Sequence, residues 1–134
     1  MKPLLFLLSS ISYFFFTGCA KDVSIDSIVG KWEVISVYKG KAYDNKSNNT
    51  YILDFKDDKN VSIKLDVNAC SSEYSANCDD CINISLFRCT EACCDSDYAI
   101  KLIEVISEST KYEIKSDILT LRNTGEIKLK RVFD

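Results

Sequence analysis

The chain contains no histidine. Without one there is no Ser-His-Asp or Cys-His arrangement, and the commonest general base at neutral pH is missing. Mixed cysteine–histidine metal sites are excluded for the same reason. Glycine is scarce, its four residues standing singly at positions 18, 30, 40 and 125, so no glycine-rich loop can cradle a phosphate. The one proline is Pro3, and nothing after it marks a domain boundary. The formal net charge is −3 and no basic run occurs, so nucleic acid is not an expected partner. Paired carboxylates exist at Asp57-Asp58 and Asp79-Asp80, but consecutive residues on a strand point to opposite faces, and these read as turn residues. The chain therefore reads as a non-enzyme with no resident cofactor.

What is present begins with an N-terminal signal. Lys2 supplies a positive start, and Leu4 to Phe16 is an uncharged, mostly apolar stretch of 13 residues. A spanning helix needs about 20, so this segment is short for an anchor and has the build of a secretory signal. It ends in Phe16-Thr17-Gly18-Cys19, which resembles the bacterial lipobox, with Phe16 where that motif usually carries an aliphatic residue. Two small residues before the cysteine let an extended backbone enter a peptidase cleft, after which the thiol accepts diacylglycerol. Residues 1–18 are expected to be a lipoprotein signal peptide, 19–27 a lipidated tether and 28–134 the folded domain. Acyl chains such as palmitate, at ~0.8 kcal/mol per buried methylene, would hold Cys19 on a membrane. Ala20 follows where a retention signal would place Asp, which favours the outer membrane. Ordinary secretion, with Cys19 unacylated, is the alternative.

Removing 18 of 134 residues leaves 116, one small domain. It retains Cys70, Cys78, Cys81, Cys89, Cys93 and Cys94. Six is even and the signal leads out of the reducing cytosol, so all six are disulfide candidates, with the connectivity open. Adjacent Cys93 and Cys94 are expected to bond elsewhere, because an eight-membered ring distorts the peptide between them. A catalytic C-x-x-C at Cys78 and Cys81 is disfavoured, since Asp79 and Asp80 would raise the thiol pKa and no βαβ context surrounds them. The alternative is a thiolate site for Zn²⁺ or Cu⁺ built from Cys78, Cys81, Cys89 and Cys93.

Period-two alternation dominates the rest. Val61, Ile63, Leu65 and Val67 alternate with polar neighbours, as do Tyr51, Leu53 and Phe55, with Lys56 to Asn60 as the hairpin connection. Further strands are expected at Trp32 to Tyr38, Ile82 to Phe87, Lys111 to Lys115, Ile118 to Arg122 and Glu126 to Val132. Ser116-Asp117 and Asn123-Thr124-Gly125 are turn signals between the last three. Ala99, Leu102, Ile103 and Ile106 recur at helical spacing, predicting a helix over 97–109 capped by Asp95 or Ser96. The fold class is mainly β: a small antiparallel β-barrel of 7–8 strands with one α-helix, closed or nearly closed because closure removes edge strands. Its core should draw on Trp32, Val34, Leu53, Phe55, Ile63, Leu65, Ile84, Leu86, Ile114, Leu119, Leu121 and Leu129. If it grips a ligand, the Asp44–Asn49 loop and the cysteine-rich 70–81 segment are the candidate places.

Four segments in this order resemble a known family. Ile28-Val29-Gly30-Lys31-Trp32-Glu33-Val34 opens like small lipocalin-like and META domains. Asn68-Ala69-Cys70-Ser71-Ser72-Glu73-Tyr74 is similar to the META segment with a Gly-Cys-Asn and a following tyrosine, although Ala69-Cys70-Ser71 replaces that tripeptide. Cys93-Cys94-Asp95-Ser96-Asp97-Tyr98 and its helix look like the family's Met-Ala-Cys segment without the methionine. Tyr112-Glu113-Ile114 to Leu119-Thr120-Leu121 matches its closing hairpin. The resemblance to HslJ-like small lipoproteins implies a barrel with one helix and no accepted enzymatic activity. A non-enzymatic, membrane-anchored envelope lipoprotein with a binding or maintenance role is the leading expectation. An inhibitor of a secreted hydrolase, or the thiolate metal binder, stands second.

Overall fold

A computed structural model of the chain describes residues 28–77 and 80–134. The expected signal peptide, Cys19 and tether lie outside the described residues, as does Cys78. Ten strands and one helix follow in the order β1 (Gly30–Tyr38), β2 (Ala42–Tyr43), β3 (Ile52–Phe55), β4 (Asn60–Lys64), β5 (Ala69–Ala76), β6 (Ile82–Ile84), β7 (Arg88–Cys89), α1 (Asp97–Glu108), β8 (Lys111–Lys115), β9 (Ile118–Arg122) and β10 (Glu126–Arg131). Eight form one antiparallel path, β6-β5-β4-β3-β1-β10-β9-β8, with two-residue β2 on β1 and two-residue β7 on β5. The two ends of that path meet. Ile82 N–H donates to Thr110 O at 3.1 Å and Tyr112 N–H to Asp80 O at 2.9 Å, so the sheet is a nearly closed barrel.

The alternating residues do what their period requires. Trp32, Leu53, Phe55, Val61, Ile63, Leu119, Leu121, Ile127 and Leu129 are buried, and of the polar neighbours between them only Thr120 is buried as well. In β1 the inward phase runs through Trp32 and Val34, slips at Ile35, and resumes at Val37. The slip is a bulge in the pairing with β10, where Val34 opposes Leu129 and Ser36 opposes Lys128. One extra residue resets which side chains point inward, and Ile35 is left half-exposed. Trp32 seals this end, its indole N–H donating to Ile28 O at 2.8 Å and the Arg131 guanidinium stacked 4.0 Å from its ring centre.

The helix forms where its apolar spacing places it and begins at Ser96, whose hydroxyl accepts the Ala99 N–H. Tyr98, Ala99, Leu102, Val105 and Ile106 make its buried stripe. It packs on β6, β9 and β10, strands from both limbs of the sheet, and so caps the barrel. At its C-terminal end the β9–β10 turn closes in tightly. A Cβ on Gly125 would lie 2.7 Å from Tyr38 O and 2.9 Å from a Val105 methyl.

Four expectations are corrected. Leu86 is 86% exposed, because β6 stops at Ile84 and the chain leaves the sheet before it. Val34 and Ile114 pack against the core only partly buried. The strand expected to run to Val67 ends at Lys64, where Asp66 turns outward to bind the start of the helix. The 70–81 segment is mostly strand β5 and not a mouth loop. Its inward residues are Cys70, Ser72 and Tyr74, a weakly apolar set made tolerable by local bonds: the Ser72 hydroxyl donates to Ser85 O at 2.7 Å and the Tyr74 hydroxyl to Lys56 O at 2.8 Å.

Candidate functional site

The cysteines divide by position. Cys70 and Cys89 face each other across the β5–β7 pairing and are joined by a disulfide that staples the short β7 to the barrel. Cys93 and Cys94 lie side by side with their sulfurs set against each other, where separate partners were expected. Cys81 is bridged to Lys111, whose ammonium donates to its sulfur at 3.0 Å. One of the four thiolates of the zinc or copper alternative, Cys89, is consumed in the disulfide with Cys70. Among the described residues no group of three or more candidate ligands comes together.

Between these cysteines and the helix lies a polar clasp that the sequence pattern did not announce. Asn68, nearly buried, is its hub. Its amide N–H groups donate to Ala92 O at 2.7 Å and to Asp95 Oδ2 at 2.5 Å, while its Oδ1 accepts from the Thr90 hydroxyl and the Ala92 N–H. Asp95 Oδ1 accepts the N–H groups of Val67 and Asn68 at 2.8 and 3.2 Å. Asp66 answers from the other side, accepting from Ser96 N–H at 2.8 Å, the Tyr51 hydroxyl at 2.5 Å and the Asn49 amide at 2.6 Å. Burial works against both charges, yet these donors outweigh it, and both carboxyls are held below the usual carboxylate range. The clasp is structural. It fixes where the helix begins, and therefore where the cleft beside it sits.

That cleft has a volume of about 480 Å³, within the ~300–1,000 Å³ range typical of ligand sites. One wall is the segment Lys41 to Ser47, the other the first helical turn at Ser96, Asp97 and Tyr98. The Asp44–Asn49 loop expected to carry binding contributes Asp44, Lys46 and Ser47; the cysteine-rich 70–81 segment contributes nothing here. Tyr43 stands in the wall with the ammonium groups of Lys41 and Lys101 at 5.3 and 5.7 Å from its ring centre. Tyr98 packs on Tyr51, and burial first, then Tyr51, raises its phenol above the ordinary value, so it stays a neutral hydroxyl. Loop and helix are locked by Lys39, which pairs with both Glu104 and Glu108. The hydrogen bonds that its ammonium donates to Glu104 and Glu108 outweigh burial and hold it above the usual lysine value.

The four charged side chains of the cleft are less occupied. Among the described residues, Lys41, Lys46, Asp44 and Asp97 form no ion pair or side-chain hydrogen bond, apart from the contact of Lys41 with the Tyr43 ring. The sequence held one signal of this site, a polar loop flanked by Tyr38, Tyr43 and Tyr51. It held none for Asp97 or Tyr98, whose place in the wall follows from how the clasp sets the helix.

A nearly closed antiparallel barrel, capped by one helix and opening into a ligand-sized cleft beside it, defines a small β-barrel domain. The META domain family model matches residues 26–132, and the chain belongs to the META domain family. In fold it is similar to a crystal structure of a DUF4847 family protein from Bacteroides vulgatus, with a TM-score of 0.61 at 16% identity, covering 80% of this chain and 96% of that one. It is also similar to an NMR structure of a protein from Burkholderia xenovorans, with a TM-score of 0.61 at 12% identity, covering 78% and 83%. A comparison with curated proteins finds no match.

Proposed function

We propose that the protein is a non-enzymatic lipoprotein of the bacterial envelope, anchored through Cys19 and using its META barrel to bind a ligand without transforming it. The observation that carries this reading is the lipobox-like Phe16-Thr17-Gly18-Cys19 at the end of a short apolar run, a few residues before the matched domain begins at residue 26. The Cys70–Cys89 disulfide supports it, because such bonds persist in oxidising compartments outside the cytosol. Binding without catalysis is supported by a cleft that lacks histidine and whose carboxylates, Asp44 and Asp97, belong to a mixed-charge lining. Ala20 favours the outer membrane as the site of attachment. The test is fractionation of cells expressing the full chain. Wild-type protein should follow the outer membrane and require detergent for release, and Cys19→Ala should become soluble or be retained unprocessed. Equal behaviour of the two would overturn the reading.

A further inference from the structure

The cleft has a second feature beyond its charges. β2 pairs with β1 on one side only, and among the described residues nothing pairs with its other edge. Ala42 and Tyr43, which make up β2, are themselves cleft-lining residues. An unpaired strand edge presents backbone N–H and C=O groups that an extended peptide can use as an added strand. Around this edge stand two cations, Lys41 and Lys46, and two carboxylates, Asp44 and Asp97, with no ion-pair partner among the described residues. A neutral ligand would leave all four to water, and a purely anionic or cationic one would meet a like charge. We infer that the cleft takes a short peptide with both ends charged, laid along the free edge of β2. The mixed lining offers lysine to its carboxylate and aspartate to its ammonium. The volume of about 480 Å³ suits a few residues and not a folded partner. This rests on the reading of the cleft as the binding site.

The experiment is an NMR titration of the isotope-labelled domain, disulfides intact, with trialanine bearing free termini. Parallel titrations use its N-acetylated, its C-amidated and its doubly blocked forms. Backbone signals of Ala42, Tyr43, Asp97 and Tyr98 should move with trialanine, and blocking either end should weaken binding about tenfold. Lys46→Gln should weaken trialanine but spare the C-amidated peptide, and Asp44→Asn should spare the N-acetylated one. Equal binding of blocked and free peptides at the cleft would overturn the charge-matching inference and leave the cleft as the site. Shifts confined to another face of the barrel, or none at millimolar peptide, would overturn both.

Discussion

Asp66 and Asp95 each accept backbone N–H groups from the segment that carries the other. Asp66 takes the N–H of Ser96, and Asp95 takes those of Val67 and Asn68. Two like charges are brought near one another, which by itself raises the Asp95 pKa. The donors around each more than offset that repulsion. The turn after β4 and the cap of the helix are therefore one unit, and the cleft wall at Asp97 and Tyr98 hangs from it.

Replacing either carboxylate by Asn keeps the shape and removes the charge. Asp66→Asn and Asp95→Asn should each cost about 1 kcal/mol, a modest figure because both groups are partly solvated. Their effects should not add, since both act on the same turn–helix junction. Urea unfolding of the two single variants and the double variant measures this.

The same pair sets an acid dependence. Both carboxyls titrate lower when folded than when unfolded. Their contribution is thus present above the ordinary carboxylate value of about 4 and is lost as pH falls through and below it. Urea midpoints should hold between pH 7 and 5 and decline beneath pH 4. The decline should be shallower in Asp66→Asn than in the wild type.

Much of this architecture was legible because period two is a strong signal. Leu53 and Phe55, Val61 and Ile63, and Leu119 and Leu121 all lie where alternation places them. β5 was not, because its inward residues Cys70, Ser72 and Tyr74 are polar or mixed and their burial depends on Ser85 O and Lys56 O, partners remote in sequence. The bulge at Ile35 was hidden too: it resets a phase that the flanking residues alone leave ambiguous. For the site, the polar loop around Asp44 stood out between tyrosines. Asp97 did not, because an acidic residue at N1 of a helix is ordinary until the fold brings it into the lining of the same cleft.

The Cys70–Cys89 disulfide closes a loop of sequence separation 19. Chain-entropy arguments assign such a loop about 3 kcal/mol. A Cys70→Ala/Cys89→Ala variant should lose roughly that much stability while keeping its β-rich circular dichroism at low temperature. A thermal melt with and without reductant gives the comparison, and the double variant should respond less to reductant than the wild type.

Gly125 is constrained by closeness and not by backbone angle. A methyl group there meets the Tyr38 carbonyl, which cannot move without disturbing the β1–β10 pairing. Gly125→Ala should destabilise by about 1–3 kcal/mol. Gly40→Ala, where an added Cβ meets nothing within 4 Å but φ is +70°, should cost about 1 kcal/mol from backbone strain alone. Differential scanning of the two variants should rank them in that order.

The measurement that bears most directly on the proposed anchoring is the intact mass of the protein extracted from membranes, before and after reduction. The predicted mass is that of residues 19–134 carrying a diacylglycerol and further acyl chain on Cys19, with a mass gain on reduction of about two hydrogens for each disulfide. A chain that keeps residues 1–18, or one cleaved there with an unmodified Cys19, would contradict it.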